Sequence, residues 1–252
     1  MLSIGRLGAA SEDYYLAVVA SGVEDYYLAE GEAPGRWLSE GGLALAGEVE
    51  AEDLRALLAG RDPHSDDQLV PAPPGRPRTP GFDLTFSAPK SVSLLYALGD
   101  SEVQGQTIEA HERAVAAAIG YLEGHAAFLR RGRAGAQRVP AVGLVAAGFR
   151  HRASRAGDPA LHTHVLVANL GQDGAGRFGA LDSRAIYRAA KTAGYLYQAE
   201  LRHQLSTSLG VEWRPVTKGA AEIEGVPPEV IDAFSARRPR WRPWTPAGPR
   251  SH

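Results

Sequence analysis

Cysteine is absent from this 252-residue chain, and methionine occurs once, at position 1. With no thiol, disulfides and thiolate metal ligands are excluded. No run of about 18 apolar residues occurs, and no charged-then-apolar leader opens the chain. Neither membrane insertion nor export is therefore expected, and the expected compartment is the cytoplasm. A glycine-rich phosphate loop of the form G-x-x-x-x-G-K-[ST] is also missing, which argues against a nucleotide-driven motor, and no internal repeat is visible.

Acids are missing from one basic stretch: seven arginines and no Asp or Glu lie between Arg130 and Arg155. The net charge of −2 conceals this, because residues 1–70 hold 14 acids against 4 Lys/Arg, and residues 71–252 hold 15 against 23. Such a segment suits a phosphate-bearing ligand, or is a solvated basic face. At 44% hydrophobic and 22% charged residues, the chain has the composition of an ordinary globular protein with one substantial core.

What is present divides cleanly by period. Gly81 to Ser87 (GFDLTFS) alternates like a strand, with Phe82, Leu84 and Phe86 on one face and Asp83 and Thr85 on the other. Asp83 is then either solvated or turned toward a polar site. Ser87-Ala88-Pro89-Lys90 reads as a helix start for SVSLLYAL. Ser101 to Arg131 carries a helical stripe of Ile108, Val115, Ile119 and Leu122, with His111 and His125 expected at its surface. A second long helix is expected over Asp182 to Leu209, stopped by Gly210 and burying Ile186, Ala190, Ala193, Tyr197, Leu201 and Leu205. Shorter helices are expected over Ala51 to Leu58 and from Pro228 to near Arg237, and a strand over Val211 to Val216. Gly31 to Gly42 reads as a loop in which Trp37 plugs the core. Val70 to Pro80 is a proline-rich link, and Arg238 to His252 a proline- and arginine-rich tail expected to be poorly ordered.

Three of the eight histidines bunch between Phe149 and Asn169 (FRHRASRAGDPALHTHVLVAN). Val139 to Phe149 and Val165 to Leu170 read as buried strands, with Gly157, Asp158 and Pro159 turning between them, so a hairpin is expected. Side chains two apart on a strand share a face, so His162 and His164 point the same way and His151 returns on the facing strand. The three imidazoles are then either an open metal site or polar residues on a solvated face; the third histidine, returned by the hairpin, favours metal. Near the N-terminus, the doublets Tyr14-Tyr15 and Tyr26-Tyr27 each follow an acid, with a helix expected around Ser11 to Ala20. Such doublets also serve as half-buried helix anchors.

These motifs in their order, EDYY repeated near the N-terminus, FDLTFSAPKSVS at Phe82 to Ser93, H-x10-H-x-H from His151 to His164, and GVP…FS at Gly225 to Ser235, resemble the relaxase domain of MobF-type conjugative relaxases. The resemblance runs from Met1 to about Arg237. It implies an α/β (α+β) fold of the HUH endonuclease kind, with a central, largely antiparallel, palm-like sheet and long helices on one side. It implies a domain over residues 1–237 with the tail 238–252 outside it. It also implies a metal-dependent nickase that cuts one DNA strand at a transfer origin through a covalent 5′-phosphotyrosyl intermediate, initiating conjugative DNA transfer.

By position, the resemblance makes His151, His162 and His164 the ligands of a divalent ion, with Mg or Mn first and Zn or Ni acceptable. Tyr14 becomes the first nucleophile and Tyr26 the second, with Tyr15 and Tyr27 the second choices in their doublets. Asp83 would orient a histidine or take the tyrosine proton. Implied partners are single-stranded DNA with an adjacent hairpin, relaxosome accessory proteins and a coupling protein, around a monomer. Two places where the family often carries an acid are Arg152 and Ala156 here, which implies a less acidic site. Two other readings remain: a single-strand-binding remnant that no longer cuts, and an unrelated three-histidine metalloenzyme acting on a small molecule.

Overall fold

A computed structural model describes residues 1–8 and 34–235, apart from 66, 74, 76, 133, 134 and 155. The four tyrosines of the doublets, the helix expected around Ser11 and the tail after Arg237 lie outside the described residues. The elements in chain order are β1 (Leu2–Arg6), β2 (Arg36–Glu40), α1 (Ala51–Ala59), β3 (Gly81–Ser87), α2 (Lys90–Leu98), α3 (Ser101–Ala126), β4 (Phe128–Arg131) and β5 (Gln137–Pro140). There follow β6 (Val145–Ala153), β7 (Pro159–Ala168), β8 (Gly171–Gln172), β9 (Phe178–Gly179), α4 (Ser183–Leu209) and α5 (Pro228–Ala233).

Five strands form the central sheet in the order β1-β3-β7-β6-β2, and every neighbouring pair is antiparallel. Strand alternation sorts side chains into two layers. Phe82, Leu84 and Phe86 of β3, with Val165 and Val167 of β7, pack on the apolar stripes of α3 and α4. Leu166 and Ala168 of β7, with Val145, Ala147 and Phe149 of β6, face the other way, onto Leu54, Leu57 and Leu58 of α1 and onto Leu7, Leu43, Leu45 and Val70. The long helices thus cover one face, as expected. Among the described residues, the other face is covered by α1 and its loops toward one end, and the histidines lie on the remainder.

The helix ends follow their chemistry. The Asp100 carboxylate caps α3 by accepting from the Val103 amide. Gly210 ends α4 in the left-handed conformation at φ 65°, where a side chain would be strained. Asp182 stands at the α4 N-terminus without capping it; its carboxylate instead pairs with Arg138 at 3.0 Å.

Three expectations fail locally. The single strand over Val139 to Phe149 is two, β5 and β6, because Pro140 has no N–H to extend a ladder and the chain steps away to Val145. The glycine-punctuated loop holds the short edge strand β2, whose Trp37 packs on the α1-side cluster. Val211 to Val216 makes only an isolated bridge, Trp213 with Ile223, with Pro215 blocking a longer ladder. In addition, α3 stops at Ala126, and the last residues of its expected span form β4.

Candidate metal centre and its surroundings

The β6–β7 hairpin builds the site. His151 stands directly opposite His162 in the register, and a bulge between His151 and Ala153 ends regular pairing just beyond them. On the next strand, Thr85 faces His164 and Ser87 faces His162. One ring nitrogen from each of His151, His162 and His164 lies within 4.8 Å of the others, and ring centroids are 5.1 to 5.3 Å apart. His151 is buried, and the other two are half-buried, so the cluster is fixed at its base and open at its mouth.

Hydrogen bonds decide which nitrogen is free to ligate on two rings. His164 Nδ1 lies 2.9 and 3.0 Å from the two carboxylate oxygens of Asp83. A carboxylate accepts, so Nδ1 carries the proton and Nε2 presents its lone pair. His162 Nδ1 likewise donates to the Ala160 carbonyl at 2.7 Å. Such outer partners fix tautomer and ring orientation in metal-binding histidines and raise their basicity. Three neutral imidazoles with their remaining positions open to oxygen ligands suit a divalent ion. Of the two environments left open for Asp83, solvated or facing a polar site, the structure shows the second: it is 6% exposed, and Thr85 Oγ1 donates to it at 3.3 Å.

The SAPKSVS segment braces this hairpin, which explains why it accompanies the histidines. The Ala88 amide donates to the Leu161 carbonyl at 3.0 Å, and Ser93 Oγ accepts from the Leu161 amide at 3.0 Å. Lys90 Nζ donates to the Pro159 carbonyl at 2.7 Å. The residues leading into His162 are therefore held by α2 and its entry turn.

His111, expected at the surface, is fully buried, with its ring between Tyr197 and Thr163. Burial, reinforced by the charge of Arg150, pulls its pKa from 6.5 to about 3. His125 is exposed as expected. The arginine-rich stretch spends much of its charge internally: Arg131 pairs with Asp173, Arg138 with Asp182 and Arg150 with Glu112.

A different basic surface lies outside the sequence-based expectations. Arg184, Tyr187, Arg188, Lys191 and Tyr195 line the exposed side of α4, with both tyrosines 44% exposed. The sequence does carry a signal for it, since no acid occurs between Ser183 and Ala199 and these positions repeat at helical spacing. The stripe begins where Tyr187 meets Phe82 edge-on and runs toward the histidine end, where Gln198 donates to the Ser87 carbonyl.

Fold and site together define a protein with a three-histidine cluster able to hold a metal ion on one face of an antiparallel sheet backed by long helices. The TrwC relaxase family profile matches residues 8–245, and the chain belongs to that family. It is 37% identical over 227 residues to a multifunctional conjugation protein TraI of Escherichia coli, covering 85% of this chain and 12% of the relative. A TraI of E. coli strain K12 is 34% identical, with 94% of this chain and 14% of the relative covered. The chain thus spans about one-eighth of the length of these relatives.

Among solved structures, the conjugative relaxase TrwC in complex with oriT DNA superposes in its metal-bound form with a TM-score of 0.80 at 34% identity, covering 94% of this chain and 80% of that one. A copper-bound form of the same complex gives 0.81 at the same identity and coverage. A TrwC complex with a 27-mer comprising the recognition hairpin and the cleavage site gives 0.79 at 33%, covering 94% and 79%.

Proposed function

We propose that this chain is the strand-cleaving domain of a conjugative relaxase, acting on single-stranded DNA beside a hairpin at a transfer origin. The observation that carries the reading is the convergence of His151, His162 and His164, with Asp83 fixing the tautomer of His164, on the sheet face opposite the long helices. We take residues 1–237 as the domain, although the family match continues to residue 245.

A bound divalent ion would supply Lewis-acid neutralisation of a phosphate oxygen at the scissile bond. The chain's own residues do the rest. The histidines hold the site open on one side, so a phosphate oxygen can complete the shell. Asp83 serves as an orienting group, since both its oxygens are engaged by His164. Tyr14 is the nucleophile: its phenol oxygen bonds to phosphorus, the P–O3′ bond breaks, and a proton passes to the departing 3′ oxygen. A phenol has a pKa of about 10, so it needs a nearby cation or base to ionise at neutral pH. Tyr26 would act in a second strand transfer, with Tyr15 and Tyr27 as the second choices.

Support for placing the tyrosines comes from their flanks. Leu7 joins the cluster on the histidine face, and Gly35 lies so close to the Phe149 ring, two residues before His151, that a side chain would not fit. The segment between them starts and ends on the face that carries the imidazoles. The basic, tyrosine-bearing side of α4 supports a single-stranded partner, because cations follow the backbone while aromatic rings stack on bases. Mg or Mn is the preferred ion, since phosphate oxygens would complete the shell, whereas three imidazoles alone also accept Zn or Ni. Relaxosome accessory proteins and a coupling protein are the implied partners, with the chain itself monomeric and cytoplasmic. Among the described residues no helix is long and apolar enough to cross a membrane.

The test is cleavage of oligonucleotides carrying a hairpin and a 3′ single-stranded extension, with Mn2+. Wild type is expected to nick and Tyr14→Phe to lose nicking. Undiminished cleavage by Tyr14→Phe removes Tyr14 from the role.

A further inference from the structure

Beneath the metal centre, on the helix side of the sheet, lies a chain of three buried polar side chains. Thr163 is the residue between His162 and His164 on β7, and strand alternation turns it away from them. Its Oγ1 lies 2.8 Å from His111 Nε2, and His111 Nδ1 lies 2.9 Å from the Tyr197 hydroxyl. His111 and Tyr197 are 0% exposed and Thr163 is 6% exposed. The His111 and Tyr197 rings meet edge-on at 5.6 Å. His111 belongs to α3 and Tyr197 to α4, so both long helices are tied to the single position that separates the two ring-bearing residues.

An apolar trio would bind helices to sheet at least as well, since buried hydrogen-bonding groups add little net stability over apolar groups of the same shape. What hydrogen bonds add is direction. A fully satisfied buried network specifies one arrangement where apolar packing tolerates several. The direction fixed here is that of Thr163, and the backbone at the middle residue of H-x-H sets the angle between the side chains on either side. The outer bonds to Asp83 and Ala160 orient each ring separately; they do not set the spacing between the strand positions.

Resting on the reading that these histidines hold a divalent ion, we infer that His111, Thr163 and Tyr197 are positioning residues: a strut under β7 that sets the separation and mutual angle of His162 and His164 for metal binding. Partners beyond the ligands of a metal site commonly alter affinity by roughly 10- to 100-fold. This strut works through the backbone rather than through a bond to a ligand, so about tenfold is expected.

The test titrates Co2+ into the whole chain, following affinity by calorimetry and geometry by visible absorption, with thermal melting of the metal-free protein in parallel. Thr163→Val, which keeps the shape and removes the hydroxyl, and Tyr197→Phe, which removes one terminal oxygen, are each expected to weaken Co2+ binding about tenfold and to shift the absorption bands. Thr163→Ser is expected to restore both. Wild-type affinity and spectrum in folded Thr163→Val and Tyr197→Phe would overturn the strut while leaving the metal centre intact. Wild-type protein that takes up Co2+ no better than His162→Ala would overturn both readings.

Discussion

Single side chains in this protein have separable jobs, and their removal has separable costs. Asp83 touches His164 through both oxygens, so Asp83→Asn is expected to weaken Mn2+ binding by about 10-fold or more while leaving the fold intact, measured by calorimetric titration. His111 links pH to stability. In the folded chain it stays neutral down to about pH 3, whereas the unfolded chain protonates it near 6.5. Between those values the unfolded state binds more protons, so the contribution is fully present above pH 6.5 and is lost as pH falls toward 3. The loss at full extent is on the order of 4–5 kcal/mol. Chemical denaturation across this range should show stability falling with pH, and falling less steeply in His111→Gln.

Elements show where sequence was transparent and where it was not. The hairpin, the facing strand over Gly81 to Ser87 and the two long helices were legible because each has a clear period, and hairpin pairing then placed three imidazoles together. Strand β2 was hidden, since five residues between glycines make too short a pattern to distinguish from a loop. His111 was misplaced because a histidine on an amphipathic helix looks alike whether its face meets solvent or a polar partner across the sheet. Only its tertiary hydrogen bonds to Thr163 and Tyr197 decide it.

Ser93→Ala strips the acceptor from the buried Leu161 amide, so urea unfolding should show a loss of about 1–3 kcal/mol. If α4 follows a nucleic-acid backbone, replacing Arg188 and Lys191 by alanine should weaken single-strand binding. It should also flatten the log–log salt dependence by about 0.7 for each phosphate no longer neutralised. An unchanged slope over roughly 50 to 200 mM salt, where phosphate neutralisation dominates the salt dependence, would place the DNA elsewhere.

At the scale of the molecule, one antiparallel sheet divides labour between its faces. Long helices and a buried polar strut hold one side, and among the described residues the other is open over three histidines. Both ends of the tyrosine-bearing segment lie on that open side, at Leu7 and Gly35. The central claim is that a phenol from this segment attacks a phosphate held at the histidines. Its most direct test is mass spectrometry of proteolytic peptides after incubation with hairpin-bearing single strands and Mn2+. The account predicts a nucleotide covalently attached to Tyr14, or to Tyr26 after transfer, which disappears when His162 is replaced by alanine. Cleaved DNA with no nucleotide on any of the four doublet tyrosines would contradict it.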